Sequence, residues 1–246
     1  MKLIRLPIVP YGQALALQWQ LRERLQTRSG HDRESVGYLL CLQHNPVITL
    51  GKRARAADLF SPTWLAEQGV EVFKTDRGGE ATYHGPGQLV IYPIIRLDAL
   101  RMGVVDLIHG LATALAASLH GYGVSAVYEP ELPGLWTTLD EPRRKIASVG
   151  MRVAGGVTTH GAAINLVNDL SPFSMFVPCG MPGAPMARLG DYTDEPGLFE
   201  SFTDAFIDHF QTFIDTELEP LTLELPAKDA WITSATLEEL LAGEQT

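Results

Sequence analysis

Residues 77–88 read Arg-Gly-Gly-Glu-Ala-Thr-Tyr-His-Gly-Pro-Gly-Gln and run directly into Leu-Val-Ile-Tyr-Pro-Ile-Ile at 89–95. Four glycines and a proline in twelve residues contribute almost nothing to a core. They let the backbone approach a ligand closely and adopt positive φ angles. The apolar run that follows has the length and content of a buried strand. The pair reads as a binding loop set on a rigid sheet. The competing reading is a plain Gly/Pro turn between two strands.

The rest of the chain alternates helical and strand patterns. Residues 11–28 carry Leu15, Leu21 and Leu25 among Arg and Gln, an amphipathic helix. Residues 36–42 and 47–50 are apolar runs of strand length, broken at Asn45-Pro46. A short helix is predicted over 62–68 behind an N-cap at Ser61, then a strand over 70–74 leading into the glycine loop. Helices are predicted over 104–120, stopped by Gly121, and over 196–213. In the second, Phe199, Phe202, Phe206, Phe210 and Phe213 fall at helical spacing and read as core. Further strands are predicted over 88–95, 124–128, 134–137, 145–153 and 162–167. Residues 216–246 read as a loosely attached acidic extension of a domain covering 1–215. Strands mixed with helices predict an α/β fold, a single domain with a mixed β-sheet flanked by helices.

The 246 residues fit one large domain or two small ones, and 46% apolar with 20% charged content is ordinary for a soluble globular chain. No run approaches the ~18 apolar residues of a membrane span, and residues 1–7 lack the apolar core of a signal peptide. Cys41 and Cys179 make no disulfide framework. A reducing cytoplasm is the expected compartment. Cys41 lies in an apolar run and reads as an inert core thiol. The net charge of −10 is uneven: residues 191–246 hold 14 acids and one base, against 15 acids and 18 bases before them. The bases cluster at Lys52, Arg53, Arg55, Arg77, Arg143, Arg144, Lys145, Arg152 and Arg188. They read either as solvated surface charge or as a rim that steers an acidic partner.

Residue by residue, the chemistry stays open. Cys179, between Pro178 and Gly180, is either an incidental loop thiol or a mounted nucleophile, which would need a base or cation to become a thiolate. Lys145 opens an apolar strand and is either solvent-facing or turned into a site, where it could lower a thiol pKa or act as a base. His44, His84 and His160 are scaffold or site-lining groups.

Four motifs in order carry a resemblance. They are residues 77–88, Lys145-Ile-Ala-Ser-Val-Gly150, His160-Gly161 and Pro178-Cys179-Gly180, with a weaker match over 42–51. Together they resemble the lipoyl(octanoyl) transferase family over roughly residues 1–215. The resemblance implies the catalytic-domain fold shared with biotin and lipoate protein ligases. It implies octanoyl transfer from octanoyl-acyl carrier protein to a lysine of lipoyl domains, those of 2-oxoacid dehydrogenases and of the glycine cleavage H protein. Cys179 would be the nucleophile and Lys145 its partner. Acyl-binding contacts would fall on Arg77, Gly78, Gly79, Glu80, Ala81, Thr82, Tyr83 and His84, on Ser148, Val149 and Gly150, and on His160, Gly161, Ala162 and Ala163. No metal, cofactor, nucleic acid or membrane is expected. Burying six methylenes at ~0.8 kcal/mol each gives an upper bound of about 5 kcal/mol for chain binding. Competing readings are an ATP-dependent lipoate or biotin ligase, an amidotransferase acting between protein carriers, and a metal-binding module using His44, His84, His160 and Cys179.

Overall fold

The computed structural model describes residues 1–27, 36–55, 59, 62–176, 183–227 and 232–242. An eight-stranded sheet forms the centre. Its strands are β1 (Lys2–Val9), β2 (Gly37–His44), β6 (Gln88–Ile95), β7 (Ala126–Tyr128), β8 (Gly134–Thr137), β9 (Lys145–Ala154), β10 (Val157–Asn165) and β11 (Glu219–Pro220), in the order β11-β1-β2-β6-β10-β9-β8-β7. A second sheet holds β3 (Val47–Leu50), β4 (Glu71–Lys74) and β5 (Ala81–His84), with β3 between the other two. The large sheet is mixed: β1 runs parallel to β2 and β11, while the remaining pairs are antiparallel.

Side chains on a strand alternate between faces, and both faces of the central strands are buried. On β2, Leu39 and Cys41 face one core while Tyr38, Leu40 and Leu42 face another. Helices α3 (Val104–His120) and α4 (Leu198–Ile214) cover the first face. Phe202, Phe206 and Phe210 of α4 are fully buried there, with Phe199 and Phe213 packed at the margin. Helix α1 (Tyr11–Thr27) covers the second face through Leu17, Leu21 and Leu25. The small sheet packs with Leu65 of α2 (Pro62–Glu67) and with Phe173 and Phe176.

Three expectations need correction. Residues 82–84 are strand rather than loop, because Thr82, Tyr83 and His84 pair with Thr49, Ile48 and Val47. The strand expected over 162–167 begins earlier, at Val157; its first half reads as polar, yet Thr158, Thr159 and His160 are buried. The strand β1, not expected at all, is held by pairing on both edges. Residues beyond 215 are also less detached than composition suggested. Pairing of β11 with β1 places Leu221 and Leu223 in the second core, where Ile232 and Leu237 of the region around α5 (Ser234–Ala242) join them. We expect Leu237→Ala to cost about 2–5 kcal/mol in denaturant unfolding. A cost under about 0.5 kcal/mol, as for an exposed site, would show that the segment contributes little. Ser61 and the Pro178-Cys179-Gly180 motif lie outside the described residues.

Candidate active site

The site begins where a proline interrupts a central strand. Pro93 offers no N–H to β10, and the β6–β10 ladder stops at the Ile91–Ala162 pair. Thr158 replaces the missing rungs, its hydroxyl donating to the Pro93 carbonyl at 2.6 Å and accepting from the Ile95 N–H at 3.0 Å. Within this break His160 takes a left-handed backbone, φ 58°. A non-glycine residue held there is strained, and such strain collects at functional positions. The Gln18 side chain of α1 accepts the His160 N–H at 2.7 Å and holds the kink in place.

The loop before β5 closes the other side. Its backbone is tied to the stretch after β3: Gly51, Lys52 and Arg53 donate to the carbonyls of Glu80, Arg77 and Gly79. A Cβ on Gly51 would lie 2.5 Å from the Gly79 oxygen, so only glycine permits this approach. Arg77 is 8% exposed, and its guanidinium donates to the Thr49 carbonyl at 2.7 Å and hydroxyl at 2.8 Å. The Gly78 N–H donates to Met151 of β9, so one loop joins the two sheets.

Between them lies a cavity of about 240 Å³. Of the residues expected to contact substrate, Arg77, Gly79, Glu80, Ala81, Thr82, His84, Ser148, Val149, Gly150, His160, Gly161, Ala162 and Ala163 line it. Gly78 and Tyr83 are not among the lining residues. Tyr83 points to the opposite face of β5, into the small core beside Phe173. Tyr11, Tyr92, Glu131, Leu132 and Pro133 also line the cavity without any mark in the sequence, and so does Arg53, which the sequence marks only as one of the clustered bases. Tyr11 was absorbed into a helical pattern and Tyr92 into an apolar strand, where nothing local marks them.

Lys145 is 1% exposed. Its ammonium donates to the Pro133 carbonyl at 2.9 Å and lies 5.7 Å from the centre of the Trp136 ring. It thus sits behind Pro133, which forms cavity wall. Gly134, at φ 151°, makes room: a Cβ there would stand 2.5 Å from Lys145 Cε. The solvent-facing reading of Lys145 is excluded.

Three histidines crowd the same region. His44 donates from Nδ1 to the Val9 carbonyl at 2.8 Å, which leaves Nε2 to accept the Tyr92 hydroxyl at 2.8 Å. Complete burial lowers its pKa to about 4. His44 is therefore scaffold one layer behind the cavity. His84 is buried, and burial first, then the proximity of the His44 ring, holds it well below the usual range. His160 donates from Nε2 to the Asp76 carboxylate at 2.8 Å. Burial lowers its pKa against the opposing pull of Asp76. Cys41 is a buried thiol pushed up to about 12 by burial, an inert core group. Among the described residues, no group of three or more His, Cys, Asp or Glu is arranged to hold a metal.

The basic rim is largely neutralised on its own surface. Arg143 pairs with Glu129, Arg144 and Arg188 with Asp191, and Arg152 with Asp76, while Arg77 and Lys145 are buried. Arg53 is exposed and borders the cavity. Among the described residues no helix is long and apolar enough to cross a membrane.

The family model of the lipoyl protein ligase A/B catalytic domain matches residues 12–211. An octanoyltransferase of Solibacter usitatus is 37% identical over 215 residues, covering 86% of this chain and 92% of that protein. One from Chromohalobacter salexigens is 39% identical over 197 residues, covering 80% and 81%. Among solved structures, the bipartite lipoate protein ligase of Thermoplasma acidophilum aligns with a TM-score of 0.73 at 18% identity, over 98% of this chain and 91% of that one. Lipoate-protein ligase A bound with ATP aligns at 0.74 and 17% identity, over 98% and 94%. The two sheets and the cavity between them are thus those of a lipoyl protein ligase A/B catalytic domain. Within that class the chain belongs to the octanoyltransferase family, a family of acyltransferases.

Proposed function

We propose that the protein moves an octanoyl group from acyl carrier protein to a lysine of a lipoyl domain, a step of lipoate biosynthesis in the cytoplasm, through a thioester on Cys179. The observation that carries this reading is the cavity's lining. Ala81, Val149, Ala162 and Ala163 give an apolar bed for an alkyl chain, and Lys145 stands behind Pro133 at its wall. In the first half-reaction the Cys179 sulfur bonds the acyl carbon and the donor's carbon–sulfur bond breaks. Lys145 takes the Cys179 proton as the sulfur attacks and passes it to the departing thiol. In the second, a lysine amine displaces Cys179 and Lys145 recovers a proton. The acceptors would be lipoyl domains of 2-oxoacid dehydrogenases and the glycine cleavage H protein. Each bond broken is a thioester and the last one formed is an amide, so no nucleotide or other cofactor is called for.

Intact-protein mass spectrometry after mixing with octanoyl-acyl carrier protein, without ATP, tests the reading. One added octanoyl group, absent in Cys179→Ala, is expected. Octanoylation of a lipoyl domain that needs ATP and leaves Cys179 unmodified would establish the ligase reading instead.

Glu80 borders the cavity, and among the described residues its buried Oε2 atom has no hydrogen-bond partner. We expect Glu80→Gln to shift KM for a protein substrate by about 2- to 5-fold, the scale of one weak ion pair, and to leave chain-length preference unchanged. An altered chain-length profile would place Glu80 on the alkyl chain instead.

A further inference from the structure

Hydrogen bonds fix how His84 faces the cavity. Asn165 Nδ2 donates to the Ala187 carbonyl at 3.0 Å, so Asn165 Oδ1 is the end that accepts from Gln88 Nε2 at 2.9 Å. Gln88 Nε2 also donates to the Tyr83 carbonyl at 3.1 Å, which leaves Gln88 Oε1 to face His84 Nδ1 at 2.8 Å. A carbonyl only accepts, so neither carboxamide can be turned round, and His84 Nδ1 carries the proton. In the neutral ring Nε2 then holds a lone pair. Among the described residues Nε2 has no hydrogen-bond partner, and the ring lines the cavity. Tyr11 stacks on it, with centroids 6.2 Å apart and planes 6° apart, which restrains its swing.

A lone pair in that place cannot serve a carbonyl oxygen, which also only accepts. It suits an N–H. The second half-reaction brings two of them on the attacking amine, and only one is lost, because the amide formed keeps the other. Resting on the acyl-enzyme reading above, we propose that His84 Nε2 accepts a hydrogen bond from the N–H that the acceptor lysine keeps. This aims the amine's own lone pair at the acyl carbon. Gln88 and Asn165 are then positioning residues that hold the tautomer.

The step balances. The lysine arrives as a neutral amine, its ammonium proton lost to water. Its nitrogen bonds the acyl carbon, the carbon–sulfur bond breaks, and the electron pair leaves on the Cys179 sulfur. One N–H proton passes to Lys145, whose amine has already passed the Cys179 proton to the donor thiol. The second N–H remains in the amide, on His84 Nε2, and His84 gains no proton. The low basicity that burial imposes on His84 suits a group that holds a hydrogen bond without taking the proton. His160 differs, since its partner is the Asp76 carboxylate, which favours the charged ring.

The test separates the half-reactions. Acyl-enzyme formation from octanoyl-acyl carrier protein is followed by intact mass, then its decay on adding a lipoyl domain. His84→Phe keeps the ring and removes the nitrogens. We expect acylation within about 3-fold of the parent and transfer slowed about 100-fold, the scale of a misaimed reactant. An acceptor carrying N-methyl-lysine has a single N–H, which must go to Lys145. Parent and His84→Phe should transfer to it at the same rate. Gln88→Leu should slow transfer and spare acylation. Equal slowing of both half-reactions in folded His84→Phe, or unchanged transfer, would overturn the proposal. If His84→Phe does not fold, the parent decides alone: transfer to N-methyl-lysine as fast as to lysine overturns it. No acyl-enzyme in the parent protein overturns the covalent reading itself.

Discussion

Lys145→Met is expected to slow acyl-enzyme formation about 10²- to 10⁴-fold, the usual contribution of a positioned acid–base group, while the protein stays folded. Methionine matches the stem of lysine in length and packs well in irregular apolar gaps. The loss is therefore that of the ammonium and its contacts, among them the bond to the Pro133 carbonyl and the place over the Trp136 ring. Leaving that carbonyl without its donor costs about 1–3 kcal/mol if it stays buried, which a thermal melt would register as a modest drop. Arginine should not rescue activity. A guanidinium stays protonated and cannot act as a base, and it is bulkier than the ammonium that this fully buried slot holds. Acylation at the parent rate in a folded Lys145→Met protein would remove Lys145 from the chemistry and leave it a structural lysine under Trp136.

Acid should destabilise the fold well above the range in which carboxylates titrate. His44, His84 and His160 are all held neutral, chiefly by burial. In the unfolded chain each would take up a proton near pH 6.5. Below that pH the unfolded state binds more protons than the folded one, so stability falls as pH falls. For His44, whose pKa is lowered to about 4, the loss is complete near that pH and amounts to about 3 kcal/mol. That is a large share of the ~5–15 kcal/mol typical of a whole domain. His84 and His160 add to it in the same direction. Asp76, held low by its hydrogen bond from His160, extends the loss to more acid pH. Urea unfolding at pH 7.5, 6 and 5 should show a midpoint that drops steadily, with His44→Gln flattening much of the slope. A midpoint independent of pH over that range would mean that these rings are protonated in the folded state.

The sequence showed most clearly what local pattern can carry. The phenylalanine stripe of α4 and the apolar run of β6 are periodic, and both lie where periodicity places them. β5 was hidden because glycines crowd its flanks, while the strand itself exists through pairing with β3. β10 was cut short because its polar first half satisfies its hydrogen bonds inside the protein, a long-range arrangement. The C-terminal segment looked detached because its acids dominate the composition, yet its leucines reach a core built by α1. Most cavity-lining residues sit in the motifs. Tyr11 and Tyr92 do not, and they meet His84 and His44 only after folding. The Asp76 partner of His160 is 84 positions away and has no local signature.

The three alanines of the proposed alkyl bed, Ala81 of β5 and Ala162 and Ala163 of β10, lie on other strands than Lys145, which opens β9 and shares it with Val149 of the bed. On the proposed reading, most of the ruler lies on other strands than the lysine. Alanine to valine is one nucleotide change in every alanine codon, and two added methyls at the bed would shorten the chain that fits. Each methylene of mismatch is worth ~1–3 kcal/mol of discrimination. If the alkyl chain lies there as proposed, a new acyl preference is a single mutational step away at any of these alanines, with Lys145 left as it is.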